Sequence, residues 1–358
     1  MAREFLSNEE IVQAARRNLS QGAWDYLVGA SESETTMRRN RLGFDRLAFR
    51  PRILVDVSSI DPATTLLGQP LRIPVILAPI GSLQVFAPEG GVASARAAAE
   101  FGTIHVVSSA TEPSLEETAA SAPAPKIFQL YVQGDEQWTR KILQRVKQAG
   151  YTALCLTVDV AVYSRRERPL LSGWTTPTRR TPADPKYRAA LTWETLDMIK
   201  EIAGLPFMLK GVATAEDAAL AVEHGVDAVW VSNHGGRQLD SAQGAIETLP
   251  EVVQAVNGRA QIVLDGGVQR GSDVLKAVAL GANAVAIGKL QGWGLGAGGS
   301  AGLLRVLELL EHEISVAMGL LGVTRIDQLG PNYVCAAEPV MPPHEMSMWV
   351  NMPGGRIL

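Results

Sequence analysis

The sequence predicts a single α/β domain built as a (β/α)8 TIM barrel, and two observations carry that prediction. Eight short β-branched apolar runs recur along the chain, each closed by a cluster of Gly, Ser, Asn or Asp. Ala-rich segments with helical spacing separate them at a period of roughly 20–30 residues, the rhythm of strand–helix alternation. The strands are expected at 75–80, 104–109, 127–132, 153–159, 207–211, 228–233, 261–267 and 284–289. Their unbroken apolar character suits strands buried on both faces of a parallel sheet. Intervening helices are expected at 89–101, 135–149, 214–224 and 272–280. An open doubly wound sheet is the rival, but its Gly-x-Gly-x-x-Gly turn after the first strand is missing.

With 358 residues, the chain accommodates one barrel plus extensions, so 1–358 is expected to form one domain. Residues 1–70 read as an N-terminal extension with helices at 8–18 and 34–42. One interval breaks the barrel rhythm. Residues 160–190, between the fourth and fifth strands, are rich in Arg, Pro and Thr and predict a lid loop over the mouth. Residues 330–358 form a Pro- and Met-rich tail expected to cross a surface or a subunit interface.

A chain with 46% hydrophobic and 20% charged residues can bury a large core, which excludes wholesale disorder. The net charge is −4 and no long basic run occurs, which argues against nucleic acid or anionic membrane as the main partner. No apolar stretch approaches the roughly 18 residues of a bilayer span, and no apolar signal core opens the chain. A cytoplasmic enzyme is expected. Cys155 and Cys335 are too few for a disulfide framework, and no His, Cys and carboxylate spacing resembles a metal site.

In such a barrel the chemistry gathers where the strands end, on the loops that follow them. Those ends carry Ser108 and Ser109, Gln129 and Tyr131, Thr157 and Asp159, Lys210, Ser232 to His234, and Asp265 to Gly267. Polar groups at the ends of apolar strands are costly unless paired, so six at one end imply a shared polar ligand. Lys210 reads either as half of a structural ion pair or as a cation holding a developing anion. His234 precedes Gly235 and Gly236, a sign of close approach to a ligand, and Arg237 could clamp a carboxylate in the same cavity. Asp265-Gly266-Gly267 and Gly288-Lys289 end the last two strands, where many barrels hold a phosphate. The remaining histidines are read as bystanders: His224 at a helix end, His312 on a polar helix face, His344 in the tail. His105 lies at the wrong end of its strand.

The stretch from Ser232 through His234, Gly235, Gly236 and Arg237 to Asp240 resembles the FMN-dependent 2-hydroxy-acid oxidoreductases, the group of glycolate oxidase, lactate oxidase and mandelate dehydrogenase. Supporting segments lie at 49–56, 128–131, 156–159, 209–211 and 264–267, and the likeness runs from about Trp24 to Leu320. The resemblance implies a barrel that binds FMN and oxidises an (S)-2-hydroxy acid to the 2-keto acid. His234 then matches the base, Asp159 its orienting carboxylate, and Tyr131 the group bonded to the reacting oxygen. Arg237 and Tyr26 match the clamp on the substrate carboxylate, and Arg166 a second cation beside it. Lys210 matches the lysine beside the flavin, where it stabilises the reduced anion. Pro79, Ile80, Gly81, Ser109, Gln129, Thr157 and Ser232 match flavin or ribityl contacts. Asp265, Gly266, Gly267, Gln269, Gly288 and Lys289 match the ribityl-phosphate site. Electrons would pass to O2 or another acceptor, and the assembly would be a homotetramer or homo-octamer.

Departures from the pattern carry their own expectations. Gln269 and Lys289 stand where the family commonly places two arginines, with Arg270 adjacent as a compensating charge. Ala110 replaces a pocket tryptophan and predicts a medium or aromatic substrate side chain. Gly81 resembles the decarboxylating lactate monooxygenase branch, a second reading for the fate of oxygen. A flavin-dependent isomerase leaves the His234 and Arg237 pair unaccounted for, and a cysteine-dependent nucleotide dehydrogenase needs a loop cysteine where Cys155 lies in the fourth strand and Cys335 in the tail. Gln269 and Lys289 prompt a barrel that binds without turnover, against which stand Tyr26, Tyr131, Asp159, Lys210, His234 and Arg237 together.

Overall fold

In the computed structural model, which describes residues 5–177, 184–340 and 348, eight parallel strands close into a barrel. They are β1 (Val75–Leu77), β2 (His105–Ser108), β3 (Lys126–Leu130), β4 (Ala153–Thr157), β5 (Phe207–Val212), β6 (Ala228–Val231), β7 (Gln261–Leu264) and β8 (Ala284–Ile287). β8 returns to pair with β1, Val285 against Val75 and Ile287 against Leu77, which closes the cylinder. All eight expected strands are present. Seven end earlier than expected, because their last polar and glycine residues leave the ladder to build the loops at the mouth.

Side-chain alternation explains why near-continuous apolar runs were needed. Ile76, Val106, Ile127, Cys155, Met208, Trp230, Val263 and Ala286 fill the barrel interior. Their neighbours Leu77, Val107, Phe128, Leu156, Leu209, Val231, Leu264 and Ile287 pack outward under the helices. Below, the hairpin of Thr64–Leu66 and Gln69–Leu71 inserts Leu66 and Leu71 into the interior cluster and plugs the floor. The floor is thus apolar, and the opposite end is left for chemistry.

The expected helices are observed at Gly91–Phe101, Glu136–Gln148, Ala215–Glu223 and Gly271–Ala279. Asp135 and Thr214 cap two of them by accepting from the Trp138 and Asp217 amides. The extension holds α1 (Asn8–Asn18), α2 (Gln21–Val28) and α3 (Thr35–Asp45). α1 buries Ile11, Val12 and Ala15 in the core layer shared with the helix Lys289–Leu321. α3 instead reaches the barrel mouth. Within 160–190 the chain forms short helices at Glu167–Leu171 and Lys186–Ala189, and 178–183 lie outside the described residues. The tail returns as Val334–Ala336, antiparallel to Leu47–Phe49; His344 lies outside the described residues. Among the described residues, no helix is long and apolar enough to cross a membrane.

Candidate active site

A cavity of about 460 Å³ opens at the C-terminal mouth of the barrel. Tyr26, Ala110, Tyr131, Arg166, Lys210, His234 and Arg237 line it, with Pro79, Ile80, Gly81 and Ser109. Asp265, Gly266, Gly267, Gln269, Gly288 and Lys289 also line it. Gln129, Asp159, Thr157 and Ser232 are not in this wall. Gln129, Thr157 and Ser232 are buried.

His234 sits in left-handed backbone at φ +58, followed by Gly235 at +66 and Gly236 at +76. Such a run is costly for any side chain, so surrounding contacts must hold it. α3 supplies them. Asn40 and Asn233 exchange reciprocal amide hydrogen bonds at 2.9 and 2.7 Å, and the Thr36 amide donates to Asp240 at 2.8 Å. Gly236 packs so closely on α3 that a Cβ there would lie 2.5 Å from the Met37 nitrogen. The turn thereby aims the imidazole into the cavity.

His234 Nδ1 contacts both Asp159 oxygens, at 3.0 and 3.1 Å, which directs Nε2 toward Tyr131, whose hydroxyl lies 3.5 Å away. Burial holds the imidazole below its ordinary pKa, with the Asp159 charge pulling partly back. His234 is therefore neutral at rest and able to accept a proton. Burial pushes the Asp159 carboxyl up, but His234 and Lys210 more than offset it, so its net shift is downward and it stays ionised. Room for it comes from Gly211, where a Cβ would meet Asp159 Cβ at 2.7 Å and where β5 bulges between Lys210 and Val212. Burial pushes the Tyr131 phenol well above its usual range, so it remains a hydrogen-bond donor.

Lys210 Nζ donates to Ser232 Oγ at 2.8 Å and pairs with Asp265 at 3.1 Å, while Ser232 donates to Asp265 at 2.6 Å. Burial alone would favour a neutral amine, but Asp265 and Asp159 raise its pKa, so the ammonium persists. Lys210 is thus half of a buried ion pair, and it also lines the cavity. Adjacent strand ends carry buried atoms with no hydrogen-bond partner among the described residues, Gln129 Nε2 and Thr157 Oγ1. Thr157 pairs in register with Lys210. A donor, a hydroxyl and an ammonium beside one another fit the polar edge of a flavin, since buried groups of this kind require partners.

The phosphate end fits as well. Gly288 is the N-cap of the helix Lys289–Leu321 and lines the cavity, and a Cβ on it would meet nothing within 4 Å, so open space adjoins a helix N-terminus. Lys289 brings charge to the same place, its ammonium held by the Val28 carbonyl at 2.6 Å. Arg270 does not compensate for Gln269. Its guanidinium is drawn to Glu313 at 2.8 Å and the Met348 carbonyl at 3.0 Å, and it does not line the cavity.

At the substrate end, Arg237 is oriented by donating Nη1 to the Tyr26 and Gly29 carbonyls at 2.7 and 2.8 Å. It also lies 4.9 Å over the Tyr26 ring. Tyr26 donates its hydroxyl to the Gly81 carbonyl at 2.9 Å, next to Ala110. Arg166 is braced by Ser164 and the Arg237 carbonyl at 3.3 and 3.2 Å. Several participants escaped the sequence reading. Asn40 positions the histidine turn. Arg41 grips Asp273 through two bonds of 2.8 Å and donates to the Gly267 carbonyl at 2.6 Å, joining α3 to the loop after β7. Arg188, from the lid, lines the cavity; its only sequence signal was membership of a loop expected at the mouth.

Elsewhere, His105 is buried near the floor, and His224 caps a helix, as expected. Cys155 is enclosed in β4 with its thiol pushed up to about 12 by burial, so it is no nucleophile. Among the described residues no cluster of His, Cys, Asp and Glu is placed to hold a metal ion.

The sequence profile of the FMN-dependent dehydrogenase family matches residues 15–336. An L-lactate oxidase of Nostoc sp. is 41% identical, over 91% of this chain and 96% of its own length. Glycolate oxidase of Spinacia oleracea is 38% identical, over 92% of this chain and 96% of its own. Among solved structures, a mandelate oxidase superposes with a TM-score of 0.88 at 36% identity, covering 94% of this chain and 100% of the other.

Proposed function

The chain belongs to the FMN-dependent dehydrogenase family, and we propose the residue roles, substrate preference and electron acceptor of its reaction. That reaction is the oxidation of a 2-hydroxy acid to the 2-keto acid with FMN as cofactor. FMN, when bound, supplies the acceptor for the two electrons that leave the substrate. Gln129, Thr157 and Lys210 would hold its polar ring edge, and Gly288 and Lys289 its phosphate.

Arg237 and Arg166 bind the substrate carboxylate and thereby hold the hydroxyl-bearing carbon within reach of His234. His234 takes a substrate proton at Nε2, whether the electron pair departs as hydride or by way of a carbanion. Asp159 stabilises the resulting imidazolium through Nδ1 and fixes the tautomer that leaves Nε2 free. Tyr131 donates to the substrate oxygen. Lys210, kept charged by Asp265, would favour added negative charge on the ring it helps to hold. The observation that carries this reading is the contact of His234 Nδ1 with both Asp159 oxygens behind it, at 3.0 and 3.1 Å, while His234 itself shares the cavity wall with Arg166 and Arg237.

Ala110 leaves space beside Tyr26 and Gly81, which supports a medium or aromatic side chain over glycolate. Molecular oxygen is the proposed acceptor, with decarboxylating monooxygenation as the second reading because of Gly81. We assign a homo-oligomer in the cytoplasm. The assembly is supported by Ile53, Leu54 and Leu320, exposed by 83, 100 and 74% around the Arg52 to Leu321 backbone contact. His234→Ala tests the core of the proposal. The variant should retain FMN yet lose flavin reduction by 2-hydroxy acids; fast reduction would overturn the assignment of the base.

A further inference from the structure

One cation at the mouth has no task in the reaction as described. Arg188 stands on the lid helix Lys186–Ala189, is only 7% exposed, and lines the substrate cavity. Its guanidinium carbon lies 4.5 Å over the Tyr163 ring and 5.7 Å over the Tyr131 ring, and one nitrogen donates to the Tyr163 hydroxyl at 2.5 Å. Its Nε is buried with no hydrogen-bond partner, and among the described residues it forms no ion pair with a carboxylate. A buried guanidinium that meets only aromatic faces and one phenol is costly, and an anion is what recovers the cost.

The charges around the cavity support that conclusion. Lys210 is matched by Asp265 and Arg41 by Asp273. Lys289 stands at the phosphate end, and Arg166 and Arg237 stand at the substrate carboxylate. Arg188 remains, on the ring of Tyr131, whose hydroxyl is 3.5 Å from His234 Nε2, and in the wall of the same cavity. It is therefore within the cavity that takes the substrate and is left for a substrate group other than the 2-carboxylate.

We propose that Arg188 is a distal anion clamp, and that the preferred substrates are 2-hydroxy acids whose side chain ends in a second carboxylate. The proposal rests on the 2-hydroxy-acid reading above and narrows its medium side chains to acidic ones. A planar guanidinium fork matches a carboxylate in geometry as well as charge.

The test uses the FMN-loaded enzyme and matched pairs of substrates: malate with 2-hydroxybutyrate, 2-hydroxyglutarate with 2-hydroxyvalerate, and mandelate as the aromatic comparator. The wild type should favour at least one diacid over its neutral partner, by about 10-fold or more in kcat/KM. Arg188→Met should collapse that ratio toward one, and Arg188→Lys should restore part of it. A ratio near one in the wild type, a mandelate preference over every diacid, or an Arg188→Met variant that slows both members of a pair equally would overturn the clamp. The last result would make Arg188 a brace for the lid. If no 2-hydroxy acid reduces the flavin, the underlying reading fails instead, a separate outcome.

Discussion

Replacing Asp159 by Asn isolates the electrostatic part of the mechanism. Asn keeps the shape of the side chain, and Asp159 is outside the residues that would hold FMN, so cofactor content should be unchanged. What changes is the response to proton transfer. With the carboxylate oxygens 3.0 and 3.1 Å from Nδ1, the charge centres of an imidazolium–carboxylate pair lie about 4 Å apart, an attraction of about 4 kcal/mol at an effective dielectric of 20. At about 1.4 kcal/mol per tenfold in rate, its loss slows the chemical step by about 10³-fold. An Asn amide can also donate to Nδ1 and stabilise the tautomer whose Nε2 already carries hydrogen, which acts in the same direction. The assay is anaerobic stopped-flow decay of the oxidised-flavin band at saturating substrate. A loss of less than about tenfold with full flavin content would refute the idea that Asp159 stabilises a protonated His234.

Three further variants have expected outcomes. His105 is buried with its pKa depressed to about 3, first by burial and then by Lys126, so its stabilising contribution is complete above the unfolded value near 6.5. As pH falls below that value the unfolded chain takes up a proton that the folded protein refuses, and about 1.4 kcal/mol is lost per unit down to about pH 3. Urea midpoints should therefore fall less steeply between pH 6.5 and 5 for His105→Leu than for wild type, and parallel curves would contradict this. Gly236→Ala should cost about 2 kcal/mol or more and lower kcat by displacing the histidine turn, because it combines φ +76 with a Cβ 2.5 Å from Met37. Gly235→Ala, at φ +66 with nothing within 4 Å, should show only the backbone strain in a thermal melt.

The barrel was legible because burial on both faces forces eight apolar runs that no solvent-facing element would tolerate. The strand ends were overestimated because periodicity does not register where a polar residue such as Asp159 leaves the ladder. His234, Arg237 and Lys210 were legible as polar side chains stranded beside apolar strands and glycines. Asn40 was not. Its partner Asn233 is 193 residues away, and a polar residue on a helix looks the same whether it meets water or another loop. Arg41 was hidden for the same reason, its match to Asp273 being a long-range fact. Arg270 shows the reverse error: adjacency to Gln269 suggested compensation, but a residue one step along a helix start points elsewhere and found Glu313. Arg188 lay in a segment without periodicity, so nothing local distinguished it from solvent-facing arginines such as Arg165.

The most direct test of the account is an anaerobic titration of the FMN-loaded protein with a panel of 2-hydroxy acids, each offered as separate enantiomers. An (S)-2-hydroxy acid should bleach the oxidised-flavin band, its (R)-enantiomer should not, and the 2-keto acid should form in equal amount. A protein that holds FMN while no member of the panel changes its spectrum would contradict the proposed function.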